Sequence, residues 1–195
     1  MTRLPLLREE QLDEAQKAIY DGIAKGPRAS GPQRFRLRHD DGSLTGPFNA
    51  LLFAPRVGAA LSGVGEAVRY GTGLSDRVRE LAILAVAAAR RVDFEWYAHE
   101  PIARAAGIDD AVIAELRAGG TPVLPDPTEA AGMALVAALV AGDAVGDGLY
   151  ARAEAALGTD GVVELTTLVG YYLTLALLLD VFAVGVPEGD PPFGA

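Results

Sequence analysis

Two side chains that can exchange protons lie four residues apart near the middle of the chain. Glu95 and His99 are separated by about 40° around a helix axis, so they share one helical face. A third acid, Glu80, lies in the first turn of the apolar stretch before them. A neutral imidazole and a carboxyl group whose pKa rises on burial are the groups that general acid–base catalysis uses. The pattern predicts proton transfer by Glu80, Glu95 and His99.

Two predicted helices position these side chains. Residues 78–89 are apolar at nearly every position, which predicts a helix buried on all sides. The next helix is predicted over residues 93–106, with a kink or a short break at Pro101. The face that holds Glu95 and His99 also holds apolar residues. If that face is turned toward the core, both side chains are buried.

The rest of the chain is also predicted to be helical. Half of the 195 residues are hydrophobic, and most of these are Ala, Leu and Val, which suits closely packed helices. No segment predicts a strand. The expected fold is a single all-α domain with about eight helices. The helices are predicted over residues 9–24, 55–69, 78–89, 93–106, 110–118, 127–141, 147–157 and 161–184, with a long loop over 26–49.

Composition excludes several classes of function. The net charge of −9 argues against a nucleic-acid partner, which needs clustered Lys and Arg. The absence of cysteine excludes disulfides, thiolate nucleophiles and Cys-ligated metals. The longest uncharged run, Leu165 to Leu179, is shorter than the ~20 residues of a membrane helix. The N-terminus contains no signal-peptide pattern, so we expect a soluble, cytoplasmic protein without a membrane partner.

The long loop contains a basic segment with two interpretations. Arg34, Arg36 and Arg38 alternate with apolar residues. They could form an arm that binds the anionic group of a substrate. Alternatively, the segment is solvated and extended, with its arginines paired to Asp40 and Asp41.

Four residues carry a family resemblance. Glu80, Val92, Glu95 and His99 have the spacing of the signature Glu-x11-Cys-x2-Cys-x3-His of alkyl hydroperoxidase D-like proteins, with Val92 and Glu95 at the two cysteine positions. The chain resembles the carboxymuconolactone decarboxylase-like superfamily, to which that signature belongs, over residues 46–186. Residues 1–45 would then be an N-terminal helix and loop, and residues 187–195 a C-terminal tail.

Two further motifs resemble the cysteine-free decarboxylase branch of this superfamily: Gly46-Pro47-Phe48-Asn49 and Leu168-Val-Gly-Tyr-Tyr172. The resemblance implies an all-α fold and symmetric homo-oligomers (dimers, trimers or hexamers) with sites near subunit contacts. The helix openings Val78-x-Glu80-Leu81 and Val162-x-Glu164-Leu165 also match each other, which predicts an internal duplication of a helix pair.

The missing cysteines decide which chemistry the resemblance implies. Without a thiolate to attack a peroxide, the peroxidase reaction of the alkyl hydroperoxidase D branch cannot operate. The decarboxylase branch acts without a cofactor on a small lactone acid, by proton transfer next to a carbonyl. We therefore expect a cofactor-independent lyase or isomerase for a small carbonyl, lactone or carboxylic acid substrate. The alternative is a non-catalytic oligomeric binding or scaffold protein.

Each candidate also has a structural interpretation. His99 could be a core histidine bonded to Glu80 or Glu95, and Glu95 could form a salt bridge with Arg91. Glu80 could instead pair with Arg90 or Arg91. Three ligands make a metal site at Glu80, Glu95 and His99 a minor alternative, so no metal is expected.

The aromatic candidates are less specific. Trp96 and Tyr171, together with Tyr172, could line a substrate pocket, and a tyrosine hydroxyl can stabilise an oxyanion. Aromatic residues at helical spacing are more often part of the core. Asp180, in the last apolar helix, is expected to be paired or to lie at a subunit contact.

Overall fold

The computed structural model describes residues 2–30 and 33–194, and within these ranges it contains eight α-helices and no β-strand. The all-α prediction is confirmed. The helices are α1 Glu14–Ala24, α2 Pro47–Leu51, α3 Pro55–Tyr70, α4 Asp76–Arg90, α5 Asp93–Ala105, α6 Asp110–Arg117, α7 Pro127–Ala141 and α8 Asp147–Val181.

Helix α4 is the centre of the fold. It packs against α5, α6, α7 and α8. Leu81 and Leu84 are fully buried on the side of α5 and α6, while Ile83 and Val86 are buried among residues of α7 and α8. A helix that contacts neighbours on several sides must be apolar nearly all round, which is the pattern that the sequence predicts for it.

Helix α8 is broken near its middle. Gly158 adopts φ 74° and ψ 165°, a conformation that glycine reaches without a steric penalty. The predicted separation of helices before and after Gly158 is therefore present. The longer C-terminal part carries the buried residues Leu165, Leu168 and Tyr172, which face α4. The length and mean hydropathy of α8 match those of a membrane-spanning helix, a property that buried core helices share.

The helix boundaries differ from the prediction at several points: α2 begins at Pro47, inside the predicted loop over residues 26–49, and α8 ends at Val181 instead of residue 184. The helix predicted from residue 9 begins at Glu14, because the Asp13 carboxylate accepts a hydrogen bond from the backbone N–H of Gln16 at 2.8 Å, and the backbone N–H of Asp13 donates to Gln16 Oε1 at 3.0 Å. This reciprocal capping box starts the helix, and a short 3-10 turn, Glu9–Gln11, precedes it. Helix α5 continues through Pro101 without the predicted break.

The C-terminal tail packs on the junction of α4 and α5. The ring of Phe193 lies 5.3 Å from that of Trp96, and its backbone N–H donates to Asp93 Oδ1 at 2.8 Å. Arg91 ends α4 in the left-handed conformation and donates from Nη2 to the Phe193 carbonyl at 2.7 Å. The tail thereby covers the outer end of Trp96.

Candidate active site

Three helices bring together a buried hydrogen-bonded chain of Glu80, His99 and Tyr172. Glu80 on α4 accepts from His99 Nδ1 on α5 at 2.7 Å. Tyr172 on α8 lies with its hydroxyl 3.2 Å from His99 Nε2. Because a carboxylate can only accept, the His99 proton is on Nδ1, and Nε2 accepts from the Tyr172 hydroxyl. The carboxylate fixes the tautomer and the orientation of the imidazole.

Burial controls the proton affinity of this chain. All three side chains are almost completely shielded from solvent. Burial lowers the pKa of His99, and the charge of Glu80 opposes this effect. Burial also raises the pKa of Tyr172 well above its ordinary value. The cluster therefore holds a neutral imidazole base and a protonated phenol next to it.

Glu95 lies beside this chain without joining it. Its Oε2 is 3.8 Å from His99 Nε2, which is too long for a hydrogen bond. Its Oε1 is buried and has no hydrogen-bond partner among the described residues. Burial raises the pKa of Glu95 to about 8, Arg69 opposes the rise and Glu80 adds to it. Glu95 is consequently a protonated acid near neutral pH, with a gap between it and the imidazole.

Arg69, at the end of α3, is a site residue that the sequence did not reveal. Its Nε is buried without a hydrogen-bond partner, and no described carboxylate lies within ion-pair distance of its guanidinium. Burial disfavours the charged form of Arg69. Tyr172, Tyr70, Glu80 and Glu95 favour the charged form, and the pKa of Arg69 is raised as a result. No spacing links α3 to α5, so the only signal was a lone arginine near the end of a helix of small residues.

Tyr171 lies next to the cluster, with its hydroxyl at α3 and not at His99. Its ring is perpendicular to that of Tyr172, with centroids 5.2 Å apart. Its hydroxyl lies against Gly65, where an added Cβ would be 2.2 Å from the oxygen. Burial raises the pKa of Tyr171, and the neighbouring Arg28 opposes the rise. The hydroxyl that contacts the imidazole is that of Tyr172.

Trp96 has a core position. It is fully buried, and its Nε1 donates to Glu100 Oε2 at 3.0 Å. Its ring packs with Phe193 and with leucines of α4. Trp96 directly follows Glu95, so it points about 100° away around the helix. The structure thus assigns it to packing on the other side of α5.

The three loop arginines lie outside the cluster. Arg34 and Arg36 line an open concavity of about 920 Å³ on the outer face of α5, together with Tyr97 and Glu100. Arg36 pairs with Asp40, as the solvated-segment interpretation predicts. Arg38 lines another concavity, formed by the loop itself and by residues of α1, with a volume of about 560 Å³. None of the three reaches Glu95 or His99.

The alternative salt bridges of the acids do not form. Arg91 is bound to the tail, and Glu80 is bound to His99. Within residues 2–30 and 33–194, no group of three or more His, Cys, Asp or Glu side chains is arranged to hold a metal ion. Asp180 is exposed at the end of α8 and lines a concavity together with Arg3 and Arg90.

The cluster is enclosed by the helices of one chain. Five concavities of 280 to 920 Å³ lie elsewhere on the described surface, and their lining includes none of Glu80, Glu95, His99 and Tyr172. Arg69, which is half-buried, is the member that extends toward solvent. A ligand would therefore have to approach along the end of α3.

Comparison with known proteins identifies a family region and the fold. The sequence profile of the carboxymuconolactone decarboxylase family matches residues 55–138, from the start of α3 into α7. No curated protein matches the chain significantly.

Three solved structures share the fold. An uncharacterized peroxidase-related protein from Ralstonia eutropha JMP134, an alkylhydroperoxidase AhpD core, has a TM-score of 0.74 at 15% identity, covering 98% of this chain and 94% of that chain. A protein of unknown function from Agrobacterium tumefaciens, assigned to antioxidant defence as AhpD, has a TM-score of 0.64 at 20% identity, covering 72% and 97%. A cysteine-to-alanine variant of the debrominase Bmp8 in complex with 2,3,4-tribromopyrrole has a TM-score of 0.71 at 10% identity, covering 98% and 94%.

These matches confirm the resemblance predicted from the sequence. The family profile covers the helices that carry Arg69, Glu80, Glu95 and His99, and the structural matches extend over most of the chain. The thiols of the alkyl hydroperoxidase D signature are absent. The chain is therefore a cysteine-free protein of AhpD-like fold that carries a carboxymuconolactone decarboxylase family region at residues 55–138.

Proposed function

We propose that this protein is a cofactor-independent acid–base enzyme, a carboxymuconolactone decarboxylase-like lyase or isomerase of the cytoplasm. Its substrate is a small carbonyl compound, lactone or carboxylic acid. One observation carries the proposal: a buried, protonated Glu95 has an unpartnered Oε1, and its Oε2 lies 3.8 Å from Nε2, the nitrogen of His99 that carries no proton. An acid and a base that are adjacent but not hydrogen-bonded to each other can donate and accept protons at two positions of one substrate.

Proton abstraction would begin at His99. Nε2 takes a proton from the carbon next to the substrate carbonyl, and the electron pair of that C–H bond moves onto the carbonyl oxygen. The Tyr172 hydroxyl, released from Nε2, donates to the resulting enolate oxygen. Glu80 stabilises the imidazolium that forms.

Glu95 completes the reaction as the acid. Its proton passes to a carbon of the enolate, and the imidazolium afterwards returns a proton to the Glu95 carboxylate. In a decarboxylation the C–C bond breaks instead, carbon dioxide leaves, and the electron pair left on carbon forms the same enolate. Glu95 then protonates that carbon, and its carboxylate takes up a proton from solvent to close the cycle.

The test is hydrogen–deuterium exchange at the carbon next to the carbonyl, followed by NMR in D₂O over a panel of small keto acids and lactone acids. The wild type is expected to catalyse the exchange. His99→Ala and Glu95→Gln should lose it, and Arg34→Ala, on the outer surface, should retain it. Exchange that is unchanged in both site variants would exclude this assignment.

The enclosed cluster favours one other function, an oligomeric binding or scaffold protein. In that case the chain of Glu80, His99 and Tyr172 acts only as a buried polar contact between helices. His99→Ala would then reduce stability, and no compound of the panel would undergo exchange with the wild type.

We also propose that the protein forms a homo-oligomer. Apolar side chains are exposed along α3 and α8, among them Val57, Val64, Leu177 and Val181. Burying such a surface between copies is favourable. Light scattering at micromolar concentration should give a dimer, trimer or hexamer, and a monomer would contradict the proposal.

A further inference from the structure

We propose that Arg69 is the anion-binding residue of this site, and that the carboxylate of a small acid lies between its guanidinium and Glu95. The inference rests on the proposed function, because it places the substrate's charged group relative to the acid–base pair. The loop arginines Arg34, Arg36 and Arg38 are too far from the cluster to serve this purpose.

Unsatisfied polar atoms carry the proposal. Buried donors and acceptors in folded proteins almost always have partners. Arg69 Nε and Glu95 Oε1 are both buried without one among the described residues. The hydroxyl of Thr72, three residues after Arg69, is a third such atom. A carboxylate offers acceptors to the guanidinium N–H groups of Arg69 and to the proton of Glu95.

The charges point to the same ligand. Arg69 is close enough to Glu95 to lower the pKa of that carboxyl group, yet the two form no ion pair. Glu80 is already bound to His99, and burial keeps Glu95 protonated. The cationic Arg69 therefore lacks a direct counterion, and a bound anion would meet no ionised carboxylate at Glu95.

Arg28, a buried arginine near the same helices, already has partners. Arg28 donates to the carbonyl of Ser62 at 3.2 Å and stacks over Phe48 with 5.6 Å to the ring centroid. Arg69 instead packs over the exposed ring of Tyr70, 5.3 Å from its centroid. Arg69 is only partly buried as a residue, whereas Glu80, Glu95, His99 and Tyr172 are all buried.

This placement limits the substrate class. With its carboxylate at Arg69, a small acid would direct its next few carbons past Glu95 toward His99 Nε2. A keto acid or a lactone acid carries both groups that this placement requires, a carboxylate for Arg69 and a carbonyl group near His99. A neutral carbonyl compound leaves Arg69 without a counterion and should bind weakly.

Binding without turnover tests the proposal. Isothermal titration calorimetry is performed with succinate, 4-oxopentanoate and the methyl ester of 4-oxopentanoate. The wild type should bind at least one of the two acids, and the ester at least tenfold more weakly. Arg69→Met should lose at least tenfold in affinity for that acid, while the surface control Arg34→Met should bind it like the wild type.

A second variant covers the case in which Arg69→Met does not fold. Arg69→Lys keeps the charge and loses the planar fork, so it should bind the acid at an intermediate affinity. Three results would each overturn the proposal: no binding of either acid to the wild type, equal binding of acid and ester, or unchanged binding in the Arg69 variants.

The two proposals fail in different ways. If the acids bind through Arg69 and no compound undergoes exchange, the anion site stands and the acid–base function does not. If exchange occurs and is unaffected by Arg69→Met, the acid–base function stands and the anion site is wrong.

Discussion

The two faces of helix α5 carry similar side chains in opposite environments. On the outer face, the Tyr97 hydroxyl donates to Glu188 at 3.0 Å, and Glu100 accepts from Arg104 at 3.0 Å. On the inner face, Glu95 keeps an unpartnered oxygen beside His99. The outer groups are paired and near water, whereas the inner ones are dry and only partly paired. The acid–base function that we propose depends on this burial rather than on residue type alone.

Arg36 and Arg69 differ in the same way, in their pairing and in their exposure to solvent. Arg36, near the outer face, is paired with Asp40 in an open concavity. Arg69, on the inner side, is held beside buried acids without a direct partner. An exposed ion pair contributes little to stability, while a buried cation without a partner is costly.

The largest effect should be kinetic. His99→Ala on the inner face is expected to reduce the exchange rate about 10²–10⁴-fold, because it removes the base. Tyr97→Phe on the outer face should change the rate less than twofold. Rates measured by NMR under the same conditions decide this, and a large loss in Tyr97→Phe would break the comparison between the two faces.

The next effect is a dependence of stability on pH. Folding raises the pKa of Glu95 from 4.5 to about 8, so its favourable contribution is complete below pH 4.5 and is lost as the pH rises to about 8. The Glu95→Gln variant has no ionisable group at this position, so it does not lose this stability as the pH rises. Its stability relative to the wild type should therefore increase from pH 5 to pH 8, by on the order of 3 kcal/mol.

Urea unfolding at pH 5, 6, 7 and 8 measures this slope. Glu100→Gln, on the outer face, retains Glu95 and should follow the wild-type slope. A constant difference between Glu95→Gln and the wild type across this range would show that Glu95 is ionised in the folded protein.

Helix α3 offers the same comparison for packing. Gly65 faces Tyr171, and a Cβ added at Gly65 would lie 2.2 Å from the Tyr171 hydroxyl oxygen. At the exposed Gly63, nothing lies within 4 Å of an added Cβ. Gly65→Ala is expected to destabilise the fold by about 1–3 kcal/mol through overpacking. Gly63→Ala should stabilise it by up to about 1 kcal/mol, because alanine favours helix. Thermal unfolding of both variants distinguishes the two faces.

The smallest effect should come from one hydroxyl. Tyr172→Phe removes the hydrogen bond to His99 Nε2 and should reduce stability by about 1 kcal/mol. Tyr97→Phe removes a partly exposed bond to Glu188 and should stay within about 0.5 kcal/mol of the wild type. Equal losses in both variants, measured by urea unfolding, would contradict the view that the inner face is the drier one.

Local sequence signals predicted most helices. Asp126 and Pro127 start α7, where the aspartate accepts from the backbone of Thr128 at 2.8 Å and of Glu129 at 2.9 Å. Gly142 ends the same helix in the left-handed conformation. The start of α1 differs from the prediction because Asp13 caps the helix, and the residues before it therefore lie outside α1. The continuation of α5 through Pro101 depends on surrounding packing, which local preference does not contain.

The sequence by itself determined which residues share a face of a single helix. The four-residue spacing put Glu95 and His99 together, and the apolar composition of α4 implied that Glu80 is buried. Only the tertiary structure brought Arg69 and Tyr172 from other helices to this point, and moved Trp96 and the loop arginines away from it. The physical reason is that helical periodicity fixes directions around one axis, whereas the contacts between distant helices follow from how their surfaces pack.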